Sequence, residues 1–197
     1  MTLRENSISG FLVKLFKDGN TWEAWISKHS GHSNGVWLRL AKKSSTLKSL
    51  SYQEALEVAL CYGWIDGQKK PYDEESWLQR FTPRGPRSIW SKNNRSTAER
   101  LIQEGRMQQE GLAAIEKSKQ NGQWEKAYDS QKTAKPPRDF EAELNGRPKA
   151  KAFFESLNGQ NRYAILFRIH NAKKVETRKR RIEKFIEMLE KHEKLYP

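Results

Sequence analysis

Between Cys61 and Asn94 the chain reads CYGWIDGQKKPYDEESWLQRFTPRGPRSIWSKNN, and three of its seven tryptophans fall there (Trp64, Trp77 and Trp90). They alternate with Gly, Pro, Arg, Asp and Asn. A buried indole beside arginine and asparagine is the composition of a shaped cleft with a polar edge. Over Thr82–Arg95, Arg84, Arg87, Lys92 and Arg95 carry four positive charges and there is no acid. Ser91 is expected to cap a helix starting at this point. A helix N-terminus presents free backbone N–H groups and a partial positive charge, so arginines just upstream make a seat for a carboxylate or phosphate. The plainer alternative pairs these arginines with the acids of Asp73–Glu75 and closes the loop.

Asp66-Gly67 is a turn dipeptide. Asp66 is expected to shape a turn or to accept from an arginine; as a general base it lacks a partner acid or nucleophile in the sequence. Cys61 lies near the end of a predicted helix, where the dipole disfavours a thiolate, and reads as a structural cysteine. His29 and His32 sit in a polar loop with no cysteine or carboxylate at ligand spacing, so no metal or cofactor is expected. There is no phosphate-binding glycine loop, dinucleotide fingerprint or nucleophile elbow.

These groups must be positioned by a folded chain. Hydrophobic content is 36%, but eight Phe, seven Trp and six Tyr provide enough burial for a core in 197 residues. Ser51–Tyr62 is the clearest helix, with a Ser51/Glu54 capping box, a core stripe of Tyr52, Ala55, Leu56 and Ala59, and Gly63 as its stop. A helix is expected over 20–29, capped by Asn20 with Glu23. Strands are expected over 8–17, Gly35–Ala41 and Trp77–Arg84. From Ser91 the pattern turns helical, with stops at Gly105 and Gly122. Residues 128–138 read as a linker, and helices follow at about 138–144, 148–156, 160–171 and 174–193. The expected fold is therefore α+β and helix-dominated: a mixed α/β domain over 1–127, a linker over 128–138 and an all-helical domain over 139–197.

On the last helix, Val175, Ile182, Phe185, Ile186 and Leu189 form one apolar stripe, and Arg178 falls on it. An arginine inside an apolar seam needs a carboxylate or carbonyl partner, or snorkels to the edge of the seam. Asp66, across the domain boundary, is the acid considered for it.

The blocks GVWLRLAKK, SYQEALEVALCYGWIDGQ, RFTPRGPRSIWSKNN and AKKVETRKRRI, in that order, resemble the YdeI or OmpD-associated (bacteriocin-protection) family from about Trp22 to about Leu189. The resemblance implies a bacterial protein linked to tolerance of antimicrobial peptides or envelope stress, and it implies no catalytic mechanism.

The expected site is a cleft of Trp64, Asp66, Arg80, Arg84, Arg87, Trp90, Ser91, Lys92 and Asn94, closed by Glu176, Thr177, Arg178 and Arg181. It would hold a small anion or the carboxyl end of a peptide. No catalytic residue is assigned. The chain carries 37 basic and 24 acidic residues, a formal charge of +13. That charge keeps a nucleic-acid partner open, although the basic residues surround the last helix instead of forming a stripe. An enzyme using Asp66 as base is the other alternative. One cysteine excludes an internal disulfide, the N-terminus is too polar for a signal peptide, and no apolar run approaches a membrane span, so a cytoplasmic setting is expected and membrane insertion is not. Oligomeric state is not legible.

Overall fold

The computed structural model describes residues 7–197. The first residues, to which the signal-peptide reading applies in part, lie outside them. The described residues hold eight helices and a five-stranded sheet, so the fold is mixed α+β with helix predominating. The chain divides into two compact units. The first runs to Trp90 and continues over Asn94–Ala127; the second comprises Ser91–Asn93 and Tyr128–Pro197.

The first unit begins with a hairpin, β1 (Ser7–Ile8) and β2 (Phe11–Lys14). One strand was expected here. Ser9 and Gly10 both take positive φ (53° and 79°), the backbone of a tight two-residue reversal. Helix α1 (Gly19–His29) follows, capped by Asp18 with Thr21 in place of the expected Asn20 and Glu23. Then come β3 (Val36–Ala41), α2 (Tyr52–Cys61), β4 (Trp64–Pro71) and β5 (Ser76–Pro83). The strand order is β1-β2-β3-β5-β4, with only β2 and β3 parallel.

Ser51 caps α2 with Glu54 in the expected reciprocal box, and Gly63 follows at φ +70°. Tyr52, however, leaves the core stripe. It is 36% exposed, and its hydroxyl donates to Asp66 Oδ2 at 2.8 Å. Asp66-Gly67 is not a turn: both residues lie within β4, and the β4–β5 reversal is made by residues 72–75. There Asp73 Oδ1 accepts from the backbone N–H groups of Glu75 and Ser76, which fixes the bend.

Strand alternation assigns Val36, Leu38 and Leu40 to one sheet face, and Phe81 joins them through its pairing with Val36. That face meets α1 and α2 around Trp22, whose Nε1 donates to the Ala55 carbonyl. Helices α3 (Lys92–Gln103) and α4 (Gln109–Gln120) continue the core through Leu101 and Ile115.

The second unit is helical: α5 (Arg138–Asn145), α6 (Pro148–Ser156), α7 (Gly159–His170) and α8 (Val175–Glu190). Its core is built on Phe140, Phe154, Ile165, Ile169, Phe185 and Leu189. Val175, expected on the apolar stripe of α8, is 66% exposed, whereas Ile182, Phe185, Ile186 and Leu189 are buried.

Candidate functional site

Of the three tryptophans in Cys61–Asn94, Trp64 and Trp90 are core residues and Trp77 is half-buried at the edge of the core. Trp64 is buried and meets Trp22 and Trp25 edge-on at 6.3 Å. Trp90 is buried against Trp124, and its Nε1 donates to Ser118 Oγ at 2.7 Å. Arg84 lies over Trp90, with its guanidinium carbon 3.4 Å from the ring centroid, and donates to the Ile89 carbonyl. The structure therefore brings Arg84 and Trp90 together, and what they build is a braced loop. Arg87 is exposed on that loop. The acids considered as partners for these arginines are engaged elsewhere: Asp73 pairs with Arg39 at 2.8 Å and Glu75 accepts from Ser45. Asn94 is half-buried in α3.

Ser91 and Lys92 belong to the second unit. Ser91 bridges to Tyr128, and Lys92 Nζ pairs with Asp129 at 2.9 Å. Glu176 is exposed in the first turn of α8, Thr177 is half-buried and Arg181 donates to the Arg168 carbonyl. Arg178 has its acid inside the second unit, and that acid is Asp139, not Asp66. Nε and Nη2 meet the two carboxylate oxygens at 2.5 and 2.8 Å, and Nη1 donates to the Ile169 carbonyl at 2.9 Å.

This bidentate pair stands at the edge of a surface hollow in the second unit. Tyr128, Lys135, Tyr163, Phe167, His170 and Arg178 line it. Tyr163 and Phe167 are four residues apart on α7 and so share a face. Their rings are 5.8 Å apart, and Tyr128 meets Phe167 edge-on at 5.0 Å. Tyr163 donates to the Asp129 carbonyl, and burial pushes its phenol up to about 12, which keeps it protonated. Of this set only Arg178 was singled out by sequence. The i, i+4 aromatic pair was the available signal, but it reads equally as core.

Thiolate chemistry finds little support at Cys61. Cys61 is buried and its thiol is pushed up to about 11 by desolvation, so it stays a neutral thiol near pH 7. Among the described residues no cluster of His, Cys, Asp or Glu is arranged to hold a metal, and no helix is long and apolar enough to cross a membrane.

Residues 14–114 match the family described as Domain of unknown function (DUF8412), just over half of the chain. The chain belongs to the DUF8412 family. Residues 133–192 match a second family, described as Bacteriocin-protection, YdeI or OmpD-Associated. The resemblance read from Trp22 to Leu189 is thus carried by the C-terminal part; the three upstream motifs that contributed to it lie in the DUF8412 match. No curated protein and no solved structure matches the chain.

The YdeI/OmpD-associated segment contains both partners of the Arg178–Asp139 pair. Hydrogen bonds from Arg178 hold the Asp139 carboxyl below its ordinary value, helped by the Phe140 backbone N–H. A carboxyl depressed in the folded state stabilises that state above its unfolded pKa, near 4, and the contribution is lost as pH falls through the lowered value. The side chains are 27% and 47% exposed, so solvent screens the pair. Arg178→Ala is expected to destabilise the unit by about 1 kcal/mol at neutral pH, less than a fully buried pair would give. The gap between wild type and variant should narrow below pH 4, as followed by thermal melts across pH 2–7. A constant gap would show that Arg178 acts through packing alone.

Proposed function

We propose that this protein binds a ligand with one anionic end and a short apolar body, the carboxyl terminus of a peptide being the nearest chemical type, and that the hollow in its YdeI/OmpD-associated unit receives it. The observation that carries the reading is the convergence of three aromatic rings with the cations of Lys135 and Arg178 on one lining. Rings supply apolar contact at low entropic cost, and a lysine at the rim supplies a movable charge. Arg178 already shares its charge with Asp139, so Lys135 is the cation expected to meet the anionic group.

The family match supports a link to antimicrobial-peptide or envelope-stress tolerance. Charge argues about how such a link would work. Membrane-active peptides commonly carry lysine and arginine on their polar face. A chain of formal charge +13 repels them, so tolerance would run through an anionic partner and not through direct sequestration.

The test is a titration of the full chain with a panel of short peptides, each with a free or an amidated carboxyl terminus, followed by calorimetry and by NMR of Phe167 and Tyr163. Free-acid peptides with an apolar last residue should bind, and amidation should weaken them. Lys135→Glu should weaken the best ligand by roughly tenfold, since a charge-assisted contact becomes repulsive. If Lys135→Glu and Phe167→Ala bind every panel member as wild type does, the hollow is not the site.

A further inference from the structure

The sheet of the first unit has a second face, away from α1 and α2. Alternation and the β3–β5 register bring Trp37, Arg39, Leu78 and Arg80 to it. Trp37 and Leu78 are buried there, outside the main core cluster, and Trp37 Nε1 donates to the Ile8 carbonyl. Two cations stand over the Trp37 indole. The Arg80 guanidinium carbon is 5.8 Å from the ring centroid and the Lys70 ammonium 5.2 Å. Arg80 also lies 5.5 Å from the Phe11 ring.

Neither cation is neutralised by a carboxylate among the described residues. Arg39, on the same face, is paired with Asp73 at 2.8 Å. Among the described residues no carboxylate pairs with Arg80 or Lys70, and Arg80 Nε is buried with no hydrogen-bond acceptor. A guanidinium presents five N–H donors in a fixed fork. Ring faces attract the charge but satisfy few of those donors. Two like charges at one indole also repel, and the arrangement asks for an anion with several acceptor oxygens.

The backbone is bent to produce it. In β4, Asp66 pairs with Phe81, but the next pair is Lys69 with Gln79, so one residue is inserted between them. The insertion reverses the facing of everything after it. Lys69 goes to the helix side, over Trp77 at 4.2 Å, and Lys70 goes to the opposite side, over Trp37. Gln79, 3% exposed, holds the irregularity by donating Nε2 to the Gly67 and Gln68 carbonyls. A buried amide thus holds the bulge that brings a lysine to the same indole as Arg80.

We infer that Arg80 and Lys70 together bind a phosphate-type oxyanion, free or borne on a larger ligand. The inference belongs to the first unit and does not rest on the reading of the second.

Inorganic phosphate is the probe, titrated into the ¹⁵N-labelled full chain with ionic strength held constant by chloride. Saturable shifts are expected at Arg80 Nε–H and Trp37 Nε1–H. Arg80→Gln and Lys70→Gln should each weaken binding about tenfold, the cost of losing one charge-assisted contact, and Arg80→Lys should retain part of it. Melting curves establish that each variant is folded. A parallel titration with a short oligothymidylate separates the sources: saturation by phosphate indicates a small phosphorylated ligand, and saturation by the oligonucleotide alone indicates a backbone phosphate. No saturable shift with either probe, or equal binding by wild type and both glutamine variants, overturns the site.

Discussion

Gly111→Ala is expected to destabilise the first unit by roughly 3 kcal/mol, although the same change in a solvent-facing helix gains about 1 kcal/mol from propensity. Gly111 is buried in the first turn of α4. A Cβ built there would sit far inside van der Waals contact of the Cys61 carbonyl oxygen and of Met107 Sδ. Methionine can swing aside; the carbonyl cannot. It ends α2 and accepts from the Gln108 backbone N–H at 3.1 Å, the bond that docks the start of α4. Gly63, at φ +70°, makes the matching close approach from the other side, where a Cβ would stand 2.7 Å from the Glu110 carbonyl. Two helix ends thus meet through backbone at two glycines. Urea unfolding followed by tryptophan fluorescence measures the loss, with Gln109→Ala in the same turn as a control expected to change little. A Gly111→Ala protein as stable as wild type would mean that α4 can shift without cost.

The same junction shows what local pattern can and cannot carry. The capping box at Ser51 and the stop at Gly63 are short-range chemistry, and both are found where the sequence put them. Gly111 carried no signal, because its requirement comes from a helix fifty residues upstream. Asp66-Gly67 shows the opposite failure. Its turn propensity is real, but the ladder with β5 outweighs it and converts the irregularity into a bulge. The reversal falls instead at Asp73, whose carboxylate gathers the local N–H groups.

Site chemistry was less legible than fold. Indole composition does not distinguish a cleft wall from a core, and Trp64 and Trp90 went to the core because α1, α2 and α4 cover them. Arg178 was marked as needing a carboxylate, a carbonyl or a route to the edge of the stripe, and it meets both a carboxylate and a carbonyl. Which carboxylate it met depended on the fold of 128–145, a segment whose polar first half gave no periodicity. The lining residues Tyr128 and Lys135 come from that same stretch. Lys70 was invisible for a related reason: its facing depends on one inserted residue, which no alternation pattern predicts.

Asn161→Leu is expected to cost the second unit about 2 kcal/mol, because it removes the side-chain partner of three part-buried backbone groups of Leu195 and Tyr196. Asn161 is 1% exposed on α7. Its Oδ1 accepts from the backbone N–H groups of Leu195 and Tyr196, both at 3.0 Å, while Nδ2 donates to the Tyr196 carbonyl and to Asn158 Oδ1. One side-chain amide therefore fastens the end of the chain to α7, the helix that carries Tyr163 and Phe167. Leucine matches the size and removes every bond. Hydrogen exchange should show the Leu195 and Tyr196 amides losing protection first, ahead of the α7 amides. Asn161→Asp is the sharper comparison: it keeps the two accepted bonds but sets a carboxylate oxygen against the Tyr196 carbonyl and Asn158 Oδ1. It should destabilise at least as strongly as leucine, since oxygens that once received a proton would face another acceptor in a buried site. An aspartate variant with native stability and native exchange at Tyr196 would show that the tail is held by something other than this amide.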